Sequence, residues 1–305
     1  DGEGAVKLYF AGAETYAGVL WEHGCRRLMF SYNALRGSGA EPIPDRWEGE
    51  RWPKGASQLD WSLDKGADVF VDSGAFSAWR QGSPIDVEEY GEWLQEWGGR
   101  METYANLDVI SSPDGTSRNQ ARLEGMGLSP MPVFHYGSPW RVLEDLYASY
   151  DYVGIGIGPF WGPASTFRTA NRRLYAFYAR VFLEAGGKRV HGFATTLPKL
   201  IKAFPFFSVD STSWMADLRW GMPSLMSRGH LRQVTRSYGR GPWWARAYGK
   251  RRYTKRVGNC IATWLAYEAH VGEFHEARER KRRQAKEPKG QEPLPPAQGL
   301  TEDVK

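Results

Sequence analysis

The chain has 305 residues, of which 41% are hydrophobic and 25% charged, and carries a net charge of +5. That length suits one barrel-sized domain or two ordinary ones. Its two cysteines, Cys25 and Cys260, exclude a disulfide scaffold and any four-cysteine zinc module. No apolar stretch approaches the roughly 20 residues that span a bilayer.

The opening, "DGEGAVKLYFAGAE", lacks a basic leader region and reads as a first strand, not a signal peptide. Eight short apolar or β-branched runs follow one another: 6–12, 28–33, 68–74, 102–110, 131–137, 152–158, 189–196 and 206–211. Helical patterns separate them. In "DVEEYGEWLQEWGG", Tyr90, Trp93, Leu94 and Trp97 share one face. "SPWRVLEDLYASY" offers Ser138 as N-cap and Pro139 at the first helical position. "RRLYAFYARVFLEAGG" ends at Gly186 and Gly187. Eight strands alternating with helices predict an α/β (β/α)8 TIM barrel, with a doubly wound open sheet as the alternative.

Two segments break the repeat. Residues 36–57 are rich in Gly, Pro and charge and read as a long functional loop. Residues 228–256 form a basic, aromatic insertion between the last strand and a closing barrel helix at 257–285. On that helix Ile261, Trp264, Leu265, Val271 and Phe274 fall near one face. The barrel strands and their catalytic face occupy 1–227, and the Pro-rich, polar residues 286–305 read as a disordered tail.

From 228 to 289 there are 17 Lys and Arg against 5 Glu, leaving 23 basic and 30 acidic residues elsewhere. One end of the molecule is therefore suited to a polyanion. The insertion interleaves Arg232, Arg236, Arg240, Arg246, Lys250, Arg251, Arg252, Lys255 and Arg256 with aromatics that include Trp243 and Trp244. Cations match phosphates, and aromatic rings stack on or wedge between bases. The competing reading is a solvated basic surface.

The triplet Val-Asp-Ser closes an apolar run twice, at Asp72 and at Asp210. In a barrel the C-terminal strand ends carry the chemistry, and two carboxylates facing one mouth can divide the work of nucleophile and general acid/base. Each could instead cap the next helix or tie down a loop. Asp108, His135 and His191 also end strands, each with a structural alternative: a turn-forming Asp, or a satisfied core histidine. In "GIGIGP" the glycines around Gly156 suit close approach of a planar ligand, because Pro159 and the lack of a following helix defeat a dinucleotide fingerprint. Cys260, His270 and His275 supply only three ligands at unfamiliar spacings, so neither a metal nor a bound cofactor is expected.

In order, "VDSGAF", "NLDVI", "VFHYGS", "GIGIG" and "FSVDSTSW" resemble the strand-end motifs of the tRNA-guanine transglycosylase superfamily. Ala75 replaces that family's second glycine, and His135 or Tyr136 stands where it has Gln. The family's zinc subdomain is replaced by the basic insertion. The chain therefore looks most like the phage-type 7-deazaguanine DNA transglycosylases. The resemblance implies Asp210 as nucleophile and Asp72 as general acid/base. It also implies Ser73 and Asp108 reading the base edge, Phe76 stacking on the base, Gly156 offering backbone contact, and His135, Tyr136 and His191 as further base-site residues. The implied partners are DNA, double-stranded with a flipped guanine, and a 7-deazaguanine base such as preQ0 as co-substrate. No membrane partner is implied, the cytoplasm (of the host, for a phage protein) is the expected location, and loss of the zinc region is compatible with a monomer. The rival readings are the same exchange on tRNA, a barrel glycoside hydrolase, and a non-catalytic nucleic-acid-binding barrel.

Overall fold

The computed structural model describes residues 6–37, 55–157, 167–215, 224–227, 230–233 and 250–286. In chain order the elements are β1 (Lys7–Ala11), α1 (Ala13–Glu22), β2 (Arg27–Ser31), α2 (Tyr32–Leu35), α3 (Ala56–Asp64), β3 (Asp68–Asp72), α4 (Ala75–Gln81) and α5 (Val87–Trp97). Then come β4 (Thr103–Tyr104), α6 (Pro113–Gly125), β5 (Val133–His135), α7 (Trp140–Ser149), β6 (Tyr152–Gly156) and α8 (Phe167–Ala185). The last are β7 (Arg189–Gly192), α9 (Pro198–Ala203), β8 (Ser208–Ser211), β9 (Ser224–Ser227), β10 (His230–Gln233) and α10 (Lys250–Lys286).

The fold is a (β/α)8 barrel. Strands β1 to β8 form one sheet in the order β4-β3-β2-β1-β8-β7-β6-β5, and all of its pairings are parallel. The two ends of that order meet. Ala105 bridges Met131 in parallel, with Met131 N–H donating to the Tyr104 carbonyl at 2.8 Å and Asn106 N–H to the Met131 carbonyl at 2.9 Å. Closing the sheet removes its free edges.

Strand periodicity sorts the side chains into two cores. On the outer face Leu8, Phe10, Leu28, Phe30, Val69, Val71, Val190 and Val209 pack under the helices. On the inner face Tyr9, Met29, Phe70, Met131 and Val133 fill the barrel, with Tyr152 and Phe193 against them. At the N-terminal mouth, charge closes the barrel. Lys7 pairs with Asp68 (3.6 Å) and Glu102 (3.4 Å), and Arg27 pairs with Glu268 of α10 (2.9 Å). Glu268 also accepts the Leu8 N–H at 2.7 Å.

Every expected strand is present, though several are shorter than their apolar runs. The 102–110 run keeps only Thr103–Tyr104 as β4. Beyond Asn106 the backbone is held by side chains instead of by the sheet. Asn106 Oδ1 accepts the Leu107 N–H, Thr116 Oγ1 accepts the Val109 N–H, and Asn119 Nδ2 donates to the Leu107 carbonyl. Helix α7 begins at Trp140 with Pro139 at the cap position and no side-chain cap, so Ser138 is not the N-cap; its N–H donates to the His135 carbonyl. Helix α5 is capped by Asp86, which accepts from Glu88 and Glu89 N–H, and it buries Tyr90 and Leu94.

Two features lie across the expected boundaries at 227/228 and 256/257. Strands β9 and β10 form an antiparallel hairpin across the first. Helix α10 starts at Lys250, inside the expected insertion, and runs 37 residues, about 55 Å. Its buried stripe is Val257, Cys260, Ile261, Trp264, Tyr267 and Val271. Phe274 does not belong to it. Its ring is exposed beside Lys202 Nζ, 5.5 Å away, three residues past Val271, the last of the buried stripe.

Candidate active site at the C-terminal mouth

A cavity of about 960 Å³ opens at the C-terminal ends of the strands and is bordered by Asp72, Asp108, His135, Gly156 and Asp210. These residues arrive there for one reason. Asp72 shares the inward parity of Phe70, and Asp210 that of Ser208, so each projects from its strand end toward the axis.

Asp72 lies among negative neighbours. Burial, then the charges of Asp108 and Asp210, push its carboxyl up to about 7, against the opposing pull of the Gly74 N–H and His135. Gly74 holds φ 73°, and a Cβ there would lie 2.3 Å from Ser31 Oγ and 2.6 Å from Asn33 Cβ. Only glycine can make this turn. It presents a backbone donor to Asp72 while the chain enters α4.

Asp210 is held from behind. Its Oδ1 accepts the Ala194 N–H at 2.9 Å and lies 3.3 Å from His191 Nε2. Ala194 adopts φ 50°, a left-handed conformation that is uncommon outside glycine. The strained residue is thus the one that aims its amide at the carboxylate.

Asp108 and His135 form a pair, with Oδ2 2.9 Å from Nε2. Burial disfavours the imidazolium, but Asp108 beside it and Asp72 beyond outweigh that and raise the His135 pKa above its ordinary value. The other carboxylate oxygen of Asp108, Oδ1, is buried without a hydrogen-bond partner. Gly156 is required here too, since a Cβ would sit 2.5 Å from His135 Nδ1. The glycine therefore makes room for the histidine ring as well as bordering the cavity.

Two expected base-site residues lie elsewhere. His191 does not line the cavity. It is wholly buried one layer beneath, because the β7–β8 register sets it beside Ser208 and not beside Asp210. Ser73 is also buried off the cavity, since alternation turns it away when Asp72 faces in; its Oγ has no hydrogen-bond partner. Tyr136 borders the cavity with its ring packed edge-on to Phe177 at 5.0 Å. Phe76 stands at the rim, 45% exposed, with Trp79 6.0 Å away and 59% exposed. Ala194 was not foreseen; small residues in "GFATT" were the one available signal.

Arg236, Arg240, Trp243, Trp244 and Arg246 lie outside the described residues. Arg232 falls on β10, and Lys250, Arg251, Arg252, Lys255 and Arg256 on α10. The three potential ligands on α10 are engaged separately. His275 Nε2 meets the Ile201 carbonyl at 2.8 Å, His270 Nε2 meets Lys202 Nζ at 2.9 Å, and Cys260 is buried in the helix stripe. Among the described residues no group of three or more His, Cys, Asp or Glu could hold a metal, and no helix is long and apolar enough to cross a membrane.

No family model and no curated protein matches the chain. Among solved structures, a protein from Aquifex aeolicus VF5 superposes with a TM-score of 0.46 at 10% identity, over 88% of this chain and 94% of its own. Tryptophan synthase from M. tuberculosis gives 0.41 at 14% identity, over 85% and 93%. Tryptophan synthase from Pyrococcus furiosus gives 0.43 at 8% identity, over 86% and 98%. The barrel assignment rests on the strand order and closure described above.

Proposed function

We propose that this protein is a base-exchange transglycosylase that replaces guanine in DNA with a 7-deazaguanine such as preQ0. One observation carries the reading. Two inward strand-end carboxylates share a cavity, one with its pKa raised to about 7, the other with its Oδ1 held by a backbone amide and a buried histidine. Such a division suits a proton carrier and a nucleophile.

In this scheme the Asp210 carboxylate attacks C1′ of the target nucleotide. The C1′–N9 bond breaks, its electrons leave with the purine, and Asp72 donates its proton to the departing guanine. A 7-deazaguanine then enters, gives its N9 proton to the Asp72 carboxylate and attacks C1′, releasing Asp210. Two displacements at one carbon retain the β configuration. Asp108, on the cavity lining, is the acceptor for the purine's N–H edge, and Phe76 at the rim offers a stacking face. Extracting the base from its stack costs on the order of a few kcal/mol, which the basic segment's phosphate contacts would offset.

The test is nucleoside mass spectrometry after incubating the protein with preQ0 and either plasmid DNA or bulk tRNA. A deazapurine deoxynucleoside from DNA alone is expected. The modified ribonucleoside from tRNA alone would keep the chemistry and change the substrate. Asp210→Asn should abolish product while leaving DNA affinity within about 2-fold, since the carboxylate acts after binding. Full turnover in that variant would overturn the proposal.

A further inference from the structure

We propose that His191 is a positioning residue for Asp210, the end of a one-way hydrogen-bond chain running up the barrel axis from Tyr152 through Ser208. The inference rests on the transglycosylase reading, in which Asp210 is the nucleophile. Its geometry stands independently of it.

The chain has three links. Tyr152 Oη lies 2.6 Å from Ser208 Oγ, Ser208 Oγ lies 2.6 Å from His191 Nδ1, and His191 Nε2 lies 3.3 Å from Asp210 Oδ1. An ionised Asp210 can only accept, so Nε2 must carry a hydrogen. Nδ1 of the neutral ring is then an acceptor and must receive the Ser208 hydroxyl proton. Ser208 Oγ, having spent its hydrogen, accepts from Tyr152. Every donor has one assignment and the tautomer is fixed.

The surroundings hold the ring in that state. His191 is wholly buried, with Phe193 at 4.5 Å, Phe70 at 4.7 Å and Tyr9 at 6.4 Å between ring centroids. Burial in this aromatic sleeve lowers the imidazole pKa against the pull of Asp210. The ring therefore donates a hydrogen bond without neutralising the nucleophile. With the Ala194 N–H it fixes Oδ1 from two sides, leaving Oδ2 as the oxygen that attacks. A histidine present only to fill the core would show neither a dictated tautomer nor a dependence on Asp210.

The first test reads the unaltered protein. In ¹⁵N-imidazole NMR, one histidine, assigned by its disappearance in His191→Gln, should be the Nε2–H tautomer, stay neutral below the ordinary imidazole range, and shift in Asp210→Ala. An Nδ1–H tautomer, a ring titrating near its ordinary value, or indifference to Asp210→Ala would overturn the arrangement. This holds even if no base exchange is found, which would count against the function alone.

The second test separates positioning from packing. Gln places an amide where Nε2 sits, and Asn places one where Nδ1 sits. His191→Asn should lose about 100-fold in kcat with KM within about 2-fold, and His191→Gln should recover most of that loss. Equal kcat for the two variants, at matched thermal stability, would reduce His191 to core filling.

Discussion

Asp72 is the residue at which burial and charge repulsion add most directly, and its sign can be followed through both stability and rate. Its folded pKa of about 7 lies above the unfolded carboxylate value. The folded state therefore holds a proton that the unfolded chain has released. The resulting stabilisation is fully present below about pH 4 and is lost as pH rises through about 7. A shift of this size corresponds to at most about 4 kcal/mol, reduced because the carboxyl opens onto the cavity. Asp72→Asn should remove the pH dependence. In urea titrations at pH 5 and pH 8, wild type should lose about 1–3 kcal/mol more than the variant between the two. In the proposed reaction the same group limits chemistry. Purine departure there needs the acid form, so a single-turnover departure rate should fall through pH 7. Asp108→Asn removes one of the charges that raises Asp72, and should move that midpoint down while leaving it above an ordinary carboxylate, because burial remains. It should also lower the pKa of His135, readable in the same NMR titration. An unmoved midpoint would mean that Asp108 does not act on Asp72.

Among the elements, the β3–α4 corner couples the backbone most tightly to this chemistry. Gly74→Ala would place a Cβ against Ser31 Oγ and Asn33 in a left-handed conformation. The conformation alone costs about 1–2 kcal/mol, and relief of the contact would turn the N–H away from Asp72. The variant should melt lower and raise the Asp72 midpoint above 7; an unchanged midpoint would show that the amide does not tune it. At this scale the sequence was most readable. Period-2 alternation sets Asp72 and Asp210 inside and places the strands that carry them. What alternation cannot supply is height along the axis. His191 has the inward parity of a cavity residue yet sits one layer too low, because strand register depends on the partner and not on the strand itself. Nor could it show where β4 stops. Asn106 and Thr116 take over the backbone's hydrogen bonds there, and side-chain bonds of that kind leave no periodic trace. Asp108 was therefore found at the mouth, while its pairing with His135 was not.

Across the whole molecule, the acidic cavity and the basic C-terminal segment oppose each other in charge, and α10 carries part of that segment against the barrel. Its buried stripe packs against α1, α9 and β9, and Glu268 reaches the N-terminal mouth. Its first turns carry Lys250, Arg251, Arg252, Lys255 and Arg256. A cavity ringed by Asp72, Asp108 and Asp210 repels a polyanion. In the proposed function, affinity for DNA must then come from outside it, and the 17 Lys and Arg between 228 and 289 are the available source. Each phosphate neutralised on duplex DNA adds about 0.9 to the slope of log K against log salt. Arg251→Ala combined with Arg252→Ala should therefore flatten that slope by about 1.8 and weaken binding uniformly across DNA sequences. Turnover at saturating DNA should be preserved, because the proposed reaction uses neither residue. An unchanged slope would remove the start of α10 from the contact. A flattened slope accompanied by lost turnover at saturation would instead mean that these arginines help deliver the flipped base into the cavity.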